Sequence, residues 1–419
     1  MRVLVVGSGG REHALVHALS RSPQRPELLC APGNPGIAQQ ARLLEIAAED
    51  TDGLVAAARD GAVDLVVIGP EAPLVAGLVD ALSAAGVRAF GPTRAAAMLE
   101  GSKEFAKQAM AAAGVPTAAW TAVTEVEAGM AAIARYPTVI KADGLAAGKG
   151  VVVAADAVAA RTALEELLVE RRFATERVVV EEFLEGEELS LFALCDGERA
   201  LALSPARDFK RIFDGDRGPN TGGMGSYSPV APLDDAAVHE IVATVHQPIV
   251  DHMRERGTPF HGLLYGGLML TPAGVRVVEF NARFGDPETQ ALLPRLRSDL
   301  LAALYATTDP GGLRGVSLDW SPQAAVTVVL ASAGYPQAPR TGDEIDGLDH
   351  LPAGIELTHA GTARRGDRIV TAGGRVLCVT ALGDGPESAR SCAYAGARMI
   401  DFAGKQMRSD IAAHALAAS

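Results

Sequence analysis

The chain has 419 residues, of which 48% are hydrophobic and 21% charged, a composition typical of a globular protein with roughly two to four domains. No run of about 18 apolar residues and no secretory leader is evident, so we predict a cytoplasmic protein without a membrane span. The net charge of −13 argues against nonspecific nucleic-acid binding, and four scattered cysteines argue against a disulfide framework or a thiolate metal site.

The first hundred residues alternate between short apolar runs and segments with helical spacing. Residues 2–6 and 64–68 are apolar runs that each precede glycine, which predicts buried parallel strands. Residues 11–20, 52–60 and 74–85 have helical spacing, and a further helix is expected over 95–113. We therefore predict a doubly wound parallel-sheet α/β domain over residues 1–101.

The pattern then changes to antiparallel α+β structure. The sequence predicts a small mobile subdomain over about 117–194 within a larger unit, 102–320. Its strands are expected at 138–142, 150–154, 177–183 and 189–194, and its helix at 156–169. A polar stretch at 207–229 leads to a helix around 235–256 and strands at 263–270 and 275–280. In a C-terminal α+β domain, 321–419, strands are expected at 324–332, 355–360, 367–372 and 375–381, with a tight hairpin at Gly373-Gly374 and a helix at 387–400.

Lysine is rare in this sequence. Only six of the 38 basic residues are lysine, so a lysine marks a place where a compact, mobile ammonium group is useful, for example on phosphates. Lys103, Lys141, Lys149 and Lys210 lie in distinctive motifs, whereas Lys107 and Lys405 are expected at the surface.

A glycine loop follows the first strand and opens a helix. In Gly7-Ser8-Gly9-Gly10-Arg11, backbone N–H groups and the helix dipole predict an anion site, which suits one phosphate better than a dinucleotide. A tight structural turn is the alternative. Glu71 is expected at the same sheet edge, where it would either hold sugar hydroxyls or only cap a helix N-terminus.

A second loop joins two strands and carries a lysine at each end. Lys141 and Lys149, with Gly150, predict a flexible clamp over a triphosphate, although the pattern is not a Walker loop. Downstream, the backbone at Glu182, Phe183 and Leu184 can pair with an adenine edge while a later carboxylate takes the ribose hydroxyls. A solvated acidic run is the alternative for this second segment.

The segment from Val278 to Thr289 indicates the chemistry most plainly. Glu279, Asn281 and Arg283 alternate onto one face of a strand, where two oxygen ligands suit Mg²⁺ and the guanidinium can grip a phosphate or carboxylate. A solvent-exposed face is the alternative. The charged, glycine-rich stretch at 207–225 is predicted to be a functional loop and not a disordered linker.

Ten segments in sequence order resemble the phosphoribosylamine–glycine ligase family of ATP-grasp enzymes. They are GSGGREHA, PGN, GPEAPL, LEGSK, KADGLAAGKG, EEFLEGEE, GPNTGGMGSYSP, EFNARFGDPETQ, TGD and GGRVLCVTALG. The resemblance implies an N-terminal domain, two ATP-grasp subdomains that enclose ATP, and a C-terminal domain. Two departures stand out: Phe209 replaces a histidine usual in the family, and the 171–175 loop is short.

The resemblance also implies roles for single residues. ATP phosphates would be contacted by Lys103, Lys141 and Lys149, adenine by residues Glu182 to Leu184, and ribose by Glu188. Mg²⁺, or Mn²⁺ in its place, would be bound by Glu279 and Asn281. The sugar phosphate would be bound by Gly9, Gly10 and Arg11. We further predict catalytic roles for Arg283, Lys210, Asp214 and Asp216, with Asp214 or Asp216 holding the ammonium group of glycine. Substrate contacts are predicted for Glu71, Asn220, Gly222, Gly223, Asp286 and Glu288.

The predicted reaction joins glycine to phosphoribosylamine through glycyl phosphate, at the expense of ATP. The small-molecule partners are then ATP, glycine and phosphoribosylamine, with a monomeric enzyme that binds neither nucleic acid nor membrane. Another ATP-grasp carboxylate–amine ligase with a different acceptor is the alternative. The intact Glu279 and Asn281 pair argues against a purely regulatory nucleotide-binding protein, because metal serves chemistry more than adenine recognition.

Overall fold

The computed structural model describes residues 1–146 and 150–416, and four sheets of four or five strands carry the fold within these residues. Lys149, predicted as one end of the phosphate clamp, lies outside the described residues. In the described part of the chain, no helix has the length and apolar character that crossing a membrane requires.

The N-terminal sheet is parallel, as the apolar runs predict. Its strands are β1 (Arg2–Gly7), β2 (Glu27–Pro32), β3 (Arg42–Leu43), β4 (Leu65–Ile68) and β5 (Ala89–Phe90), in the order β3-β2-β1-β4-β5. The helices are α1 (Gly10–Ser20), α2 (Thr51–Asp60), α3 (Glu71–Ala76) and α4 (Leu78–Ala84). The helix predicted over 74–85 is two helices, because Gly77 takes a left-handed conformation with φ +95° between them.

The subdomain predicted over about 117–194, whose sheet is called the lid sheet below, follows two helices, α5 (Arg94–Gly101) and α6 (Lys103–Ala113). Ser102 separates them in an extended conformation and caps α6 by accepting a hydrogen bond from the Phe105 N–H. The lid sheet then consists of β6 (Trp120–Val123), β7 (Thr138–Ala142), β8 (Val151–Ala154) and β9 (Val178–Glu182), in the order β6-β9-β7-β8, with α7 (Val126–Ala132) and α8 (Ala157–Leu168) alongside.

The central sheet is antiparallel and starts where the lid sheet ends. In chain order this region contains β10 (Glu187–Asp196), β11 (Ala200–Ala202), β12 (Arg207–Asp208), β13 (Arg211–Phe213), β14 (Arg217–Asn220), β15 (Gly225–Ser228), α9 (Asp235–Ile241), α10 (Gln247–Glu255), β16 (His261–Thr271) and β17 (Gly274–Asn281). The central sheet has the order β11-β10-β16-β17. The strand expected at 189–194 therefore pairs with β16 and is not part of the lid sheet.

The C-terminal sheet includes two short strands, β12 and β15, from the polar stretch at 207–229. It has the order β12-β15-β18-β22-β19 and includes β18 (Ala324–Ala331), β19 (Ile355–His359) and β22 (Arg375–Gly383), while β20 (Thr362–Arg365) and β21 (Arg368–Thr371) form a separate hairpin. The remaining helices are α11 (Glu288–Leu292), α12 (Leu300–Ala306) and α13 (Pro386–Met399). Because β12 and β15 pair within this sheet, residues 207–228 are tied to the C-terminal strands across the predicted boundary at 320.

The hairpin predicted at Gly373-Gly374 is wrong. The strand before these glycines pairs with β20 and the strand after them pairs with β18 and β19, so they link two sheets. Their small size is used for close packing: a Cβ on Gly374 would lie 2.3 Å from the ring of Tyr335, and one on Gly373 would lie 3.0 Å from the Gly361 Cα.

Candidate active site

One face of the central sheet gathers the polar residues of three neighbouring strands. In the strand register, Ser190 and Glu279 both lie opposite Gly267, and Asn281 lies opposite Tyr265. Since cross-strand partners share a face and every second residue returns to it, Glu188, Ser190, Tyr265, Glu279 and Asn281 all project from the same side. The predicted metal ligands and the predicted ribose carboxylate are therefore brought together.

Four cations surround Glu279. Burial alone would raise the pKa of the Glu279 carboxyl, but the ammonium groups of Lys141, Lys210 and Lys103 and the guanidinium of Arg283 together lower it. These side chains come from β7, the polar stretch, α6 and the segment that follows β17, so the fold unites residues that are far apart in sequence. The convergence of four cationic side chains suits a polyanionic ligand.

The oxygen atoms of Glu279 and Asn281 fit a phosphate-bridging divalent ion. Within residues 1–146 and 150–416, no group of three or more histidine, cysteine, aspartate or glutamate side chains is arranged to hold a metal by itself. One carboxylate and one amide oxygen beside a phosphate site is the kind of donor set that Mg²⁺ uses, since this ion completes its octahedron with phosphate and water. The Asn281 Oδ1 accepts a hydrogen bond of 3.3 Å from Arg283 Nη2, which orients the amide.

Arg283 is the centre of an ion-pair network that includes a residue missed in the sequence. Its Nε lies 3.1 Å from Glu71 Oε2 and its Nη2 lies 3.0 Å from Glu100 Oε1. Burial raises the pKa of Glu100 to about 7, whereas Arg283 and Arg11 outweigh burial at Glu71 and lower its pKa to about 2. Glu71 is the first residue of α3, where the helix dipole favours a carboxylate, and the same carboxylate pairs with Arg283. In the sequence, the LEGSK segment was the only feature that could have marked Glu100 as a residue of this site.

On the nucleotide side, the lid and the body meet around Asp143. The Asp143 carboxylate accepts hydrogen bonds from the Lys103 N–H (2.6 Å) and the Ser102 hydroxyl (3.1 Å), and Lys103 Nζ donates to the Gly144 carbonyl (2.9 Å). Lys141 Nζ lies 3.0 Å from Glu181 Oε2. These contacts hold two of the predicted phosphate-binding lysines beside the lid loop.

The predicted adenine segment crosses from one sheet to the other. Glu182 is the last residue of β9, and Phe183 and Leu184 lie between β9 and β10. The Glu182 carboxylate points to Arg135, at 2.5 Å, and its backbone N–H donates to the Ala119 carbonyl, at 2.9 Å. The backbone carbonyl of Glu182 is therefore the group that this residue could offer to a base edge. Gly150 opens β8 after the undescribed residues, and a Cβ there would lie 2.6 Å from the Ala146 Cβ.

Lys210 bridges a carboxylate of the central sheet, Glu188, and one of the C-terminal sheet, Asp208. Its Nζ lies 2.6 Å from Glu188 Oε2 and 2.9 Å from Asp208 Oδ1. Lys210 is the main cause that lowers the pKa of Glu188, and the two carboxylates outweigh burial and raise the pKa of Lys210. The neighbouring Phe209, which replaces the family histidine, is buried, and its ring lies 5.0 Å from the Arg408 guanidinium carbon.

The predicted phosphate loop has a carboxylate of this chain beside it. The Gly9 N–H donates to Glu12 Oε2, at 2.6 Å, and Arg11 Nε lies 2.5 Å from Glu12 Oε1. The buried Glu12 side chain fills the space between the two glycine loops, because a Cβ on Gly69 would lie 2.0 Å from its Oε1. The sugar-phosphate role of Gly9, Gly10 and Arg11 stays a prediction, and a phosphate would have to share the Gly9 N–H with Glu12 or displace it. The loop places Gly10 against Gln290, without room for a side chain.

The C-terminal domain reaches this region through Arg375, which sequence reasoning also missed. Arg375 Nη2 lies 3.1 Å from Asp286 Oδ2, and Nη1 donates to the carbonyls of Asp286 and Gly222. Gly223 is held next to Pro287 with φ +108°, and a Cβ on Gly9 would lie 3.5 Å from Asp286 Oδ2. Three predicted substrate residues thus meet beside the glycine loop, and the segment GGRVLCVTALG was the only signal for the arginine that holds them.

Glu288 is buried on the active face of the central sheet. Its Oε1 accepts hydrogen bonds from the Tyr265 hydroxyl (3.0 Å) and the Ser190 hydroxyl (3.4 Å). Burial and the charge of Asp208 raise the pKa of Glu288 to about 7. Its carboxyl therefore connects side chains on this sheet face, and the substrate contact expected of it stays a prediction.

The structure does not bring Asp214 and Asp216 to Glu279. The Asp214 carboxylate accepts hydrogen bonds from the Ser409 N–H (2.8 Å) and hydroxyl, and Asp216 Oδ1 lies 2.6 Å from Arg408 Nη1. Both aspartates belong to the β13–β14 hairpin, which is fixed to the C-terminal segment, and Asn220 ends the same hairpin. Both carboxylates are engaged in these contacts, so the structure gives no support to the ammonium-binding role predicted for Asp214 or Asp216.

Comparisons with known proteins agree with this arrangement along the whole chain. Family models of phosphoribosylglycinamide synthetase match in three parts: the N domain at residues 1–100, the ATP-grasp (A) domain at 101–289 and the C domain at 325–414. Phosphoribosylamine–glycine ligase of Streptomyces coelicolor is 54% identical over 426 residues, covering 100% of both chains, and that of Xanthomonas axonopodis pv. citri is 49% identical, covering 100% of this chain and 98% of the relative.

Solved structures give the same result. The crystal structure of phosphoribosylamine–glycine ligase from Thermotoga maritima matches with a TM-score of 0.86 and 34% identity, covering 98% of this chain and 100% of that one. A biotin carboxylase from Campylobacter jejuni matches with a TM-score of 0.72 but 14% identity over 97% of this chain and 92% of its own, a likeness of fold alone.

Proposed function

Because the chain belongs to the phosphoribosylglycinamide synthetase family and is an ATP-dependent ligase, we propose that it joins glycine to 5-phosphoribosylamine through a glycyl phosphate intermediate. The observation that supports this mechanism best is the set of four cations, Lys103, Lys141, Lys210 and Arg283, around the carboxylate of Glu279. Such a site can neutralise a triphosphate while it holds a divalent ion against it.

The first step is attack by a glycine carboxylate oxygen on the γ-phosphorus of ATP. The bond between the γ-phosphorus and the β,γ-bridging oxygen breaks, and ADP leaves with that oxygen. Lys103 and Lys141 hold the phosphates, and Arg283 stabilises the charge on the transferred group. Glu71 and Glu100 position the guanidinium of Arg283, since they contact it from two sides.

In the second step, the amine of phosphoribosylamine attacks the carbonyl carbon of glycyl phosphate. The bond from that carbon to the phosphate oxygen breaks, the amide forms, and the amine loses one proton. In this proposal Asp286 accepts a hydrogen bond from the sugar or its amine, and its support is the ion pair with Arg375 beside the glycine loop. No protein nucleophile is required in either step.

A divalent ion belongs to this scheme as a bound cofactor. ATP-grasp ligases use ATP with a divalent metal, and we propose Mg²⁺, or Mn²⁺ in its place, at Glu279 and Asn281. When bound, it supplies charge neutralisation to the phosphates. The monomeric state, the cytoplasmic location and the absence of nucleic-acid or membrane partners stay predictions.

Oxygen labelling tests the intermediate directly. Glycine with both carboxylate oxygens replaced by ¹⁸O is incubated with Mg-ATP and fresh phosphoribosylamine, and the released phosphate is analysed by mass spectrometry. The proposed sequence transfers one ¹⁸O to each phosphate. Label in AMP would indicate adenylation instead, and unlabelled phosphate would indicate hydrolysis uncoupled from glycine. Omitting glycine or phosphoribosylamine in turn provides the control for substrate identity.

A further inference from the structure

Lys107 is a buried lysine outside the substrate cleft. The sequence predicted it at the surface, yet its side chain is 2% exposed. It lies one helical turn after Lys103 on α6 and points inward between the helix and the lid sheet. A buried ammonium group is costly unless it is paired, so its partner should have a purpose.

The partner is shared with a lysine of the active site. Lys107 Nζ and Lys141 Nζ each lie 3.0 Å from the same oxygen, Glu181 Oε2. Glu181 is also buried, and its other oxygen has no hydrogen-bond partner among the described residues. Lys107, Lys141 and Glu181 together carry one net positive charge. Without Lys107, the carboxylate of Glu181 would cancel the charge of Lys141 and the net charge would be zero.

The same two lysines are tied to the strand that carries the metal ligands. Lys107 Nζ donates to the Thr117 hydroxyl (2.7 Å), which donates to the Val277 carbonyl (2.6 Å), and Lys141 Nζ donates to the Val278 carbonyl (3.0 Å). These contacts lie where the lid sheet joins the body, immediately before Glu279. Burial lowers the pKa of Lys107 to about 8 while Glu181 opposes the shift, so the amine is mainly protonated at neutral pH.

We propose that Lys107 is a positioning residue for the ATP reaction: its ammonium group neutralises Glu181, so that the ammonium group of Lys141 keeps an unbalanced positive charge for the triphosphate. This inference rests on the proposed role of Lys141 in binding ATP. It differs from a packing role because it depends on the net charge of the three groups, which variants can remove and restore.

A charge-restoring double variant tests the inference. Lys107→Met is expected to raise the KM for ATP about tenfold while the KM for glycine stays unchanged, since the lost charge acts next to Lys141. Adding Glu181→Gln to that variant returns the net charge to its original value and is expected to restore most of the ATP affinity. A double variant that binds ATP as weakly as Lys107→Met, or more weakly, would refute the proposal.

Further variants cover the other outcomes. Glu181→Gln alone should bind ATP at least as tightly as the natural protein, so weaker binding overturns the proposal even if Lys107→Met does not fold. Lys107→Arg should retain most of the ATP affinity. Lys405→Met is the matched control, because Lys405 binds the last carbonyls of α13 away from the cleft. If Lys141→Met leaves the KM for ATP unchanged, the role proposed for Lys141 fails; if only Lys141→Met has an effect, the inference on Lys107 fails alone.

Discussion

The contact between the glycine loop and the C-terminal sheet should weaken in acid because of one buried histidine. His13 Nδ1 accepts a hydrogen bond of 2.7 Å from the His359 N–H, and the side chain is 4% exposed. Asn34 joins the same two regions by donating to the carbonyls of Ser8 and His359. Protonation of His13 at Nδ1 would remove the acceptor and place a charge in this contact.

The size of the effect follows from the pKa of His13. Burial, then the neighbouring His359 and His17, lower it from 6.5 to about 3. Because the unfolded chain binds the proton more readily, the stabilisation is present above pH 6.5 and is lost as the pH falls below that value. Between pH 7 and pH 5, the free energy of opening should fall by about 2 kcal/mol, from 1.36 kcal/mol per pKa unit over roughly 1.5 units.

Hydrogen exchange measures this loss without requiring the whole chain to unfold in one step. Exchange in peptides that cover β1 and β19 is measured at pH 7 and at pH 5. At each pH the natural protein is compared with His13→Gln, so that the intrinsic exchange rate, which depends on pH, cancels. The natural protein should lose about 2 kcal/mol more protection than the variant. His350→Gln, at an exposed position, serves as the control. Equal pH dependence in the natural protein and His13→Gln would refute the argument.

Three other perturbations have definite expected results. Asp214→Asn with Asp216→Asn should leave the KM for glycine unchanged but lower the melting temperature, because the buried Arg408 loses an ion pair; a raised glycine KM would restore the ammonium-binding role. Gly36→Ala should destabilise the protein by about 1–3 kcal/mol in thermal unfolding, since its Cβ would lie 2.4 Å from His13 Cε1, and unchanged stability would contradict this packing. Glu279→Gln removes a negative charge from the site, so calorimetry in EDTA should show tighter binding of metal-free ATP. The same variant should lower kcat by about a hundredfold or more. Weaker binding of ATP in EDTA would contradict the charge argument.

The local elements were predictable because local patterns determine them. The strand expected at 138–142 occurs as Thr138–Ala142, and the parallel strands of the N-terminal domain follow from continuous apolar runs before glycine. The alternation of Glu279 and Asn281 on one strand face also needed only the two-residue period of a strand. In these cases, the neighbours that matter lie within a few residues.

The partners of the charged residues were not predictable in this way. Lys107 belongs to an amphipathic helix and would suit the surface, but its partner Glu181 lies on a strand of the lid sheet. Asp214 and Asp216 were selected because the stretch is dense in charge, whereas Arg408, almost 200 residues later, determines where Asp216 points. A single sequence gives no measure of such long-range pairs, and the identity of a charged residue does not indicate which opposite charge it meets.

The cations that converge on Glu279 also have carboxylate partners of their own. Lys141 meets Glu181, Lys210 meets Glu188 and Asp208, and Arg283 meets Glu71 and Glu100. A polyanionic ligand would therefore have to compete with side chains of this chain for these cations. The proposed place of the triphosphate is the junction of the lid sheet and the central sheet, because lysines from three separate segments and Arg283 approach the Glu279 carboxylate there. In the proposed reaction, transfer from the γ-phosphate to glycine takes place next to Arg283, whose carboxylate partners come from α3 and α5.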